Sequence, residues 1–220
     1  MMPISVNDAR QAAQIAGRFY DLQGLRQAVF GFGGLLLFGW AMAFPLTSAD
    51  MRAAGIGVQL WGIAVLVVGF AVMLVALRWV SAGYRRHYSQ VEQTRRQKRL
   101  GAVLGAGGFL AFLIPFEIDV AAMSHGHVLP VNLMVFTMAL WIVGYWLYLG
   151  RPFWHYLVFA GIGFVLGLAS IAGIPPAAFA WHLREATLYF SLAAIAGGVI
   201  DHRILTRSLS ASRRPVGLEP

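Results

Sequence analysis

The chain has 220 residues, of which 59% are hydrophobic and only 12% are charged. Soluble domains carry about 25% charged residues, so a chain of this size and composition must place part of its surface in lipid rather than in water. The sequence contains no cysteine, which excludes disulfides, thiolate metal sites and cysteine nucleophiles. The formal net charge is +8, and the positions of the cations along the chain carry more information than their sum.

The segment before the first apolar run, residues 1–26, is predicted to be a cytoplasmic or interfacial amphipathic helix. Its pattern starts after a capping residue, Asn7 or Asp8. Such a helix either lies in the headgroup layer of a membrane or packs against a neighbouring loop. Its apolar residues recur at three- or four-residue steps, which places them on one face; they are Ala12, Ile15, Phe19 and Leu22.

Six long apolar runs follow, and together they predict the fold. A helix needs about 20 predominantly apolar residues to cross the hydrocarbon core of a bilayer. The runs are continuous rather than alternating, which favours helices over the strands of a barrel. We therefore predict an all-α polytopic membrane protein with a bundle of six transmembrane helices over 27–207, followed by a disordered cytoplasmic tail over 208–220. The six runs are 27–46, 56–80, 101–123, 130–149, 153–174 and 183–203.

The lysines and arginines predict which way the bundle faces. With six spans, all of the 17 Lys and Arg except Arg52 and Arg184 fall on one side of the membrane. Cytoplasmic loops retain Lys and Arg. Both termini are therefore expected in the cytoplasm, with the protein in the inner (plasma) membrane of a bacterium.

The densest basic segment is YRRHYSQVEQTRRQKRL, at 84–100 between the second and third runs. Cations beside a bilayer attract anionic lipid by about 1 kcal/mol each, so we expect contact with lipid headgroups. Nucleic-acid binding is not expected, because this loop is short and is tethered to the membrane at both ends. The predicted headgroup contacts are Arg85, Arg86, Arg95, Arg96, Lys98 and Arg99.

The opposite side of the membrane is predicted to hold a set of histidines and carboxylates that could bind a metal. Imidazole and carboxylate ligands suit zinc, so these residues are candidate ligands of a divalent metal in a membrane hydrolase. Two features argue against that site. Glu117 and Asp119 lie about 200° apart around a helix, and the chain has no HExxH motif. The candidate ligands are Glu117, Asp119, His125, His127 and His182.

Two carboxylates allow further interpretations. Glu117 is the deepest clear acid in the predicted spans, which makes it the candidate proton- or cation-carrying residue of a small-solute carrier. Asp201 lies where the sixth run leaves the membrane, and we expect it to pair with Arg207 or Arg151 in a partly exposed setting.

Pairs of small residues spaced four apart occur on several predicted helices, including Gly101 with Gly105 and Gly163 with Gly167. Small residues let helix backbones approach closely in lipid. Each pair predicts either packing within the bundle or a homodimer interface.

Two stretches, YRRHYSQVEQTRRQKR and GGVIDHRILTRSL, resemble segments of uncharacterised bacterial multi-pass membrane proteins. The resemblance implies location and topology and no activity. Since the polar groups cluster at the ends of the spans, the favoured function is an accessory or regulatory membrane protein that binds a partner, without catalysis and without a cofactor. The metal-dependent hydrolase and the Glu117 carrier remain the alternatives.

Overall fold

The computed structural model describes residues 23–43, 48–87, 95–149, 153–173 and 179–212, and every regular element within them is a helix. The predicted amphipathic helix falls almost entirely outside these ranges, as does the tail beyond residue 212. The described helices are α1 (Gly24–Ala43), α2 (Ser48–His87), α3 (Arg95–Ser124), α4 (Leu133–Leu149), α5 (His155–Ala169) and α6 (Phe179–Ser212).

Each described helix overlaps one of the six apolar runs, so the prediction of an all-helical fold is confirmed for the described residues. The helices differ from the runs chiefly at their ends. α2 begins before its run and contains a kink at Gly55, whose φ of 75° needs a residue without a Cβ atom. α5 continues as a short 3₁₀ turn, Ser170–Ala172. α6 continues to Ser212, several residues into the segment predicted as a tail.

Four helical segments among the described residues are long and apolar enough to cross a membrane: Gly55–Arg86, Lys98–Ser124, His155–Ala172 and Trp181–Ser208. Of the two remaining helices, α1 has 20 residues and α4 has 17. Hydrocarbon tolerates only backbone that is hydrogen-bonded within the chain, which these helices provide. The fold therefore indicates a membrane protein.

The helices divide into an inner group and two outer members. In the 18-residue apolar stretch that could cross a membrane, only 6% of the residues are buried in α2 and in α3, against 33% in α5 and in the segment of α6. α1 packs along α6, α4 packs against α5, and α2 and α3 lie outside α1 and α4 respectively. The core lies mainly between α4, α5 and α6, where Met134, Leu149, Phe153 and Leu205 have no exposed surface.

The two ends of the bundle are distinguished by their connections. At one end α3 and α4 are joined by a turn through Gly126, at φ 75°, in which the His127 N–H donates to the carbonyl of Ala122. We call this the turn end. The start of α1, the end of α4, the start of α5 and the last turns of α6 meet at the other end, beside the exposed arginines of α2 and α3. We call this the basic end.

Candidate functional site

Asp201, on α6 at the basic end, is a carboxylate with no exposed surface. Tyr156 of α5 donates its hydroxyl to Asp201 Oδ2 at 2.5 Å. His155 Nε2 lies 3.1 Å from Asp201 Oδ1, within ion-pair distance but not aligned as a straight hydrogen bond. The side-chain amide of Gln27, on α1, contacts two tyrosines. Its Oε1 lies 3.3 Å from the Tyr156 hydroxyl, and its Nε2 donates to the Tyr145 hydroxyl at 3.4 Å. We call Asp201, His155, Tyr156, Gln27 and Tyr145 the Asp201 network.

This arrangement corrects the prediction that Asp201 pairs with Arg207 or Arg151 in a partly exposed setting. Arg207 is exposed, and Asp201 is turned into the bundle toward α5; Arg151 lies outside the described residues. A carboxylate buried in hydrocarbon is costly unless polar partners surround it. His155 and Tyr156 supply those partners from the first turn of α5.

A second set of polar contacts at the basic end involves α2. The backbone N–H of Leu25, in the first turn of α1, donates to Tyr84 Oη at 3.4 Å. Tyr84 Oη lies 2.8 Å from His202 Nδ1 on α6. The donor in this contact depends on the tautomer of the His202 ring. Together with the Asp201 network, this contact joins α1, α2, α4, α5 and α6 at one level.

Close backbone contact between α1 and α6 makes that convergence possible. A Cβ atom on Gly24 would sit 1.9 Å from the carbonyl oxygen of Gly198, and one on Gly198 would sit 2.3 Å from the carbonyl oxygen of Gly24. Further along α1, Gly31 and Gly34 approach Ser191 of α6 in the same way. Such contacts follow from small residues at a helix interface in lipid.

At the turn end, the structure brings two of the five predicted metal ligands together. Asp119 Oδ2 and His182 Nδ1 are 3.2 Å apart, with Asp119 only 4% exposed and His182 fully buried. The two atoms are within hydrogen-bond distance, with the donor set by the tautomer of the ring, and the other ring nitrogen, Nε2, is also buried. Among the described residues, no hydrogen-bond partner reaches that Nε2.

Asn132 connects this pair to α4. Its Oδ1 accepts the N–H of Val135 at 3.2 Å and so caps the helix. Its Nδ2 donates to the backbone oxygen of His182 at 3.0 Å and to Glu185 Oε2 at 2.9 Å. Asn132 therefore bonds to a neighbouring helix. Thr137 of α4 does the same, because it donates to the carbonyl of Ala111 on α3.

The other three predicted metal ligands point elsewhere. Glu117, His125 and His127 are exposed, and His125 Nδ1 lies 2.8 Å from the carbonyl oxygen of Ala121 in its own helix. Within the described ranges, no three His, Asp or Glu side chains come together to hold a metal ion. The five-residue metal site and the Glu117 carrier stay predictions.

All six predicted lipid-contacting cations are exposed. Three of them, Arg95, Arg96 and Arg99, line a groove of about 330 Å³ that continues onto Leu100 and Val103 at the start of α3. These arginines lie close together at the start of α3, so their charges face one groove.

Sequence reasoning missed Tyr156 and Gln27 as functional candidates. The available signal was a histidine next to a tyrosine at the start of one apolar run, opposite an aspartate at the end of another. Antiparallel neighbouring helices bring such positions to the same level of the membrane.

The class defined by this fold and these sites is an all-helical membrane protein with a buried polar cluster at each end of its last helix. Comparison with family models, curated proteins and solved structures finds no match to this chain.

Asn132→Ala is expected to lower the free energy of unfolding by about 2 kcal/mol, the upper range for loss of an N-cap. The substitution also removes the donors to His182 and Glu185. Equilibrium unfolding in mixed micelles measures the effect, with Ser124→Ala as the control because the Ser124 hydroxyl makes local contacts alone, to the carbonyl of Ala121 and to the ring of the adjacent His125. Equal stabilities for the two variants would contradict the assigned role of Asn132.

Proposed function

We propose that this chain is an accessory component of a bacterial inner membrane, with six spans and both termini cytoplasmic, that binds a membrane-protein partner and does not catalyse a reaction. The observation that supports this proposal best is the groove formed by Arg95, Arg96 and Arg99 beside the exposed apolar surface of α3. We call this arginine groove and the adjoining turns of α3 the α3 docking face.

Two glycines extend the α3 docking face toward the membrane interior. No described atom lies within 4 Å of a Cβ built on Gly101 or Gly105. Gly163 and Gly167 have the same spacing, yet they pack against Tyr189 and Phe136 inside the bundle. The first pair is therefore open to a helix from outside, whereas the second pair serves the fold.

The charges favour a partner of a particular kind. Three arginines in one turn attract a transmembrane helix whose cytoplasmic flank carries Asp or Glu. A second copy of this chain docked in parallel through the same face would bring its own arginines against them, and like charges at an interface disfavour that pairing. We therefore propose a different protein with an acidic flank as the occupant.

Site-specific photocrosslinking in the native membrane tests this proposal. A photoreactive residue in place of Val103, which is 67% exposed, is expected to give one defined protein adduct. The same residue in place of Gly144, an open position on α4, serves as the matched control and is expected to give none. The combined substitution R95E, R96E and R99E is expected to reduce the Val103 adduct at least tenfold.

The adduct's sequence decides between the outcomes. Acidic residues beside the crosslinked helix, and recovery of the adduct when those acids are changed to lysine against the triple glutamate variant, would support the proposal. An adduct formed only with lipid or with a second copy of this chain, or one indifferent to the arginines, would overturn it.

A further inference from the structure

A groove of about 480 Å³ runs along α6, bounded by α5 and by one residue of α1. Its volume falls within the roughly 300–1,000 Å³ typical of sites for small ligands. Its α6 wall includes Arg184, Leu188, Leu192 and Ala196, at steps of four residues that keep them on one face. From Arg184 to Ala196 the wall measures about 18 Å at 1.5 Å per residue.

The two ends of this groove differ in chemistry. Phe159, Ile162 and Leu166 of α5 and Phe38 of α1 make its length apolar. The charged residues that line it, Arg184 and Glu185, both lie at the turn end. Trp181 lies there too, with its ring centroid 6.0 Å from the Arg184 guanidinium carbon; tryptophan prefers the headgroup level of a bilayer.

We propose that this groove binds one acyl chain of a phospholipid whose headgroup carries a phosphate and a primary ammonium. The chain lies along Leu188 and Leu192 toward Ala196. The phosphate meets Arg184, whose guanidinium is suited to phosphate oxygens. The ammonium meets Glu185, which Asn132 holds in place through Oε2, because a carboxylate has about four acceptor sites and that bond uses one.

The adjacent opposite charges select this headgroup among the common ones. A phosphatidylglycerol headgroup offers no cation to Glu185, and a phosphatidylcholine headgroup offers a quaternary ammonium that cannot donate a hydrogen bond. A second groove between α1 and α2, about 630 Å³ in volume, has similar apolar walls but no charged residue in its lining. This second groove therefore serves as the control site for lipid binding in the same protein.

Native mass spectrometry of the purified full chain tests the proposal by titration with phosphatidylethanolamine, phosphatidylglycerol and phosphatidylcholine of identical acyl chains. We expect phosphatidylethanolamine to bind at least tenfold more tightly than the other two. Arg184→Gln is expected to weaken all three lipids, whereas Glu185→Gln is expected to remove only the preference for phosphatidylethanolamine. Ala196→Phe is expected to block binding by filling the groove, and Ala64→Phe, which fills the α1–α2 groove, is expected to leave it unchanged.

The unfolding temperature of each variant shows whether it is folded, and Ala193→Leu replaces Ala196→Phe if the larger side chain prevents folding. Equal binding of the three lipids, tighter binding of phosphatidylglycerol, or unchanged binding by the folded groove-filling variant would overturn the proposal. Equal loss in the Ala64→Phe control would overturn it as well, because the lipid would then not be specific to this groove.

Discussion

Asp201→Ala is expected to lower the free energy of unfolding by about 3–5 kcal/mol, the range found when one partner of a buried polar pair is removed. The substitution leaves the His155 imidazole and the Tyr156 hydroxyl inside the bundle without the carboxylate that they contact. Equilibrium unfolding of the full chain in mixed micelles measures the loss.

Two further variants make this result specific to the Asp201 network. Tyr156→Phe removes the hydroxyl that contacts both Asp201 and Gln27 and should cost about 1–3 kcal/mol, less than removal of the aspartate. Glu117→Gln changes a carboxylate that is exposed and should leave stability nearly unchanged. If Asp201→Ala and Glu117→Gln were equally stable, Asp201 would not be holding the helices together.

The second large effect is expected at the crossing of α1 and α6. Gly24→Ala places a methyl group 1.9 Å from the carbonyl oxygen of Gly198, a separation that forces the two backbones apart. Overpacking of this kind costs about 1–3 kcal/mol and occasionally more. The same unfolding measurement should also show a loss for Gly198→Ala.

Gly39→Ala, on the same helix, is expected to have the opposite effect on stability. No described atom lies within 4 Å of a Cβ at Gly39, and alanine is favoured over glycine inside a helix by about 0.8–1 kcal/mol. Gly39→Ala should therefore stabilise the protein slightly while Gly24→Ala destabilises it. Stabilisation by both substitutions would mean that α1 and α6 do not meet at Gly24.

The helices could be predicted because a long apolar run is a local property of the chain. The six runs are each matched by a described helix, including the last, in which polar residues mark both ends. The ends of the helices were harder to predict. Where a helix continues past its apolar run, as α6 does to Ser212, hydropathy no longer reports whether the backbone is helical.

The partners of the buried polar groups could be predicted only in part. Helical periodicity separates Glu117 from Asp119, and the structure leaves the first exposed and buries the second against His182. The same local reasoning failed for Asp201, because the nearby arginines were obvious partners whereas His155 and Tyr156 belong to another helix. Identical spacing likewise could not show that Gly163 faces the bundle and Gly101 does not.

The contact between α1 and α6 has a consequence for how this protein is made. Of the described helices, α1 is synthesised first, and the helix that covers its glycine face, α6, is synthesised last. Until α6 is made, that face has no partner among the described helices, since α2 contacts another side of α1. A chain truncated before α6 would leave the glycine face of α1 uncovered.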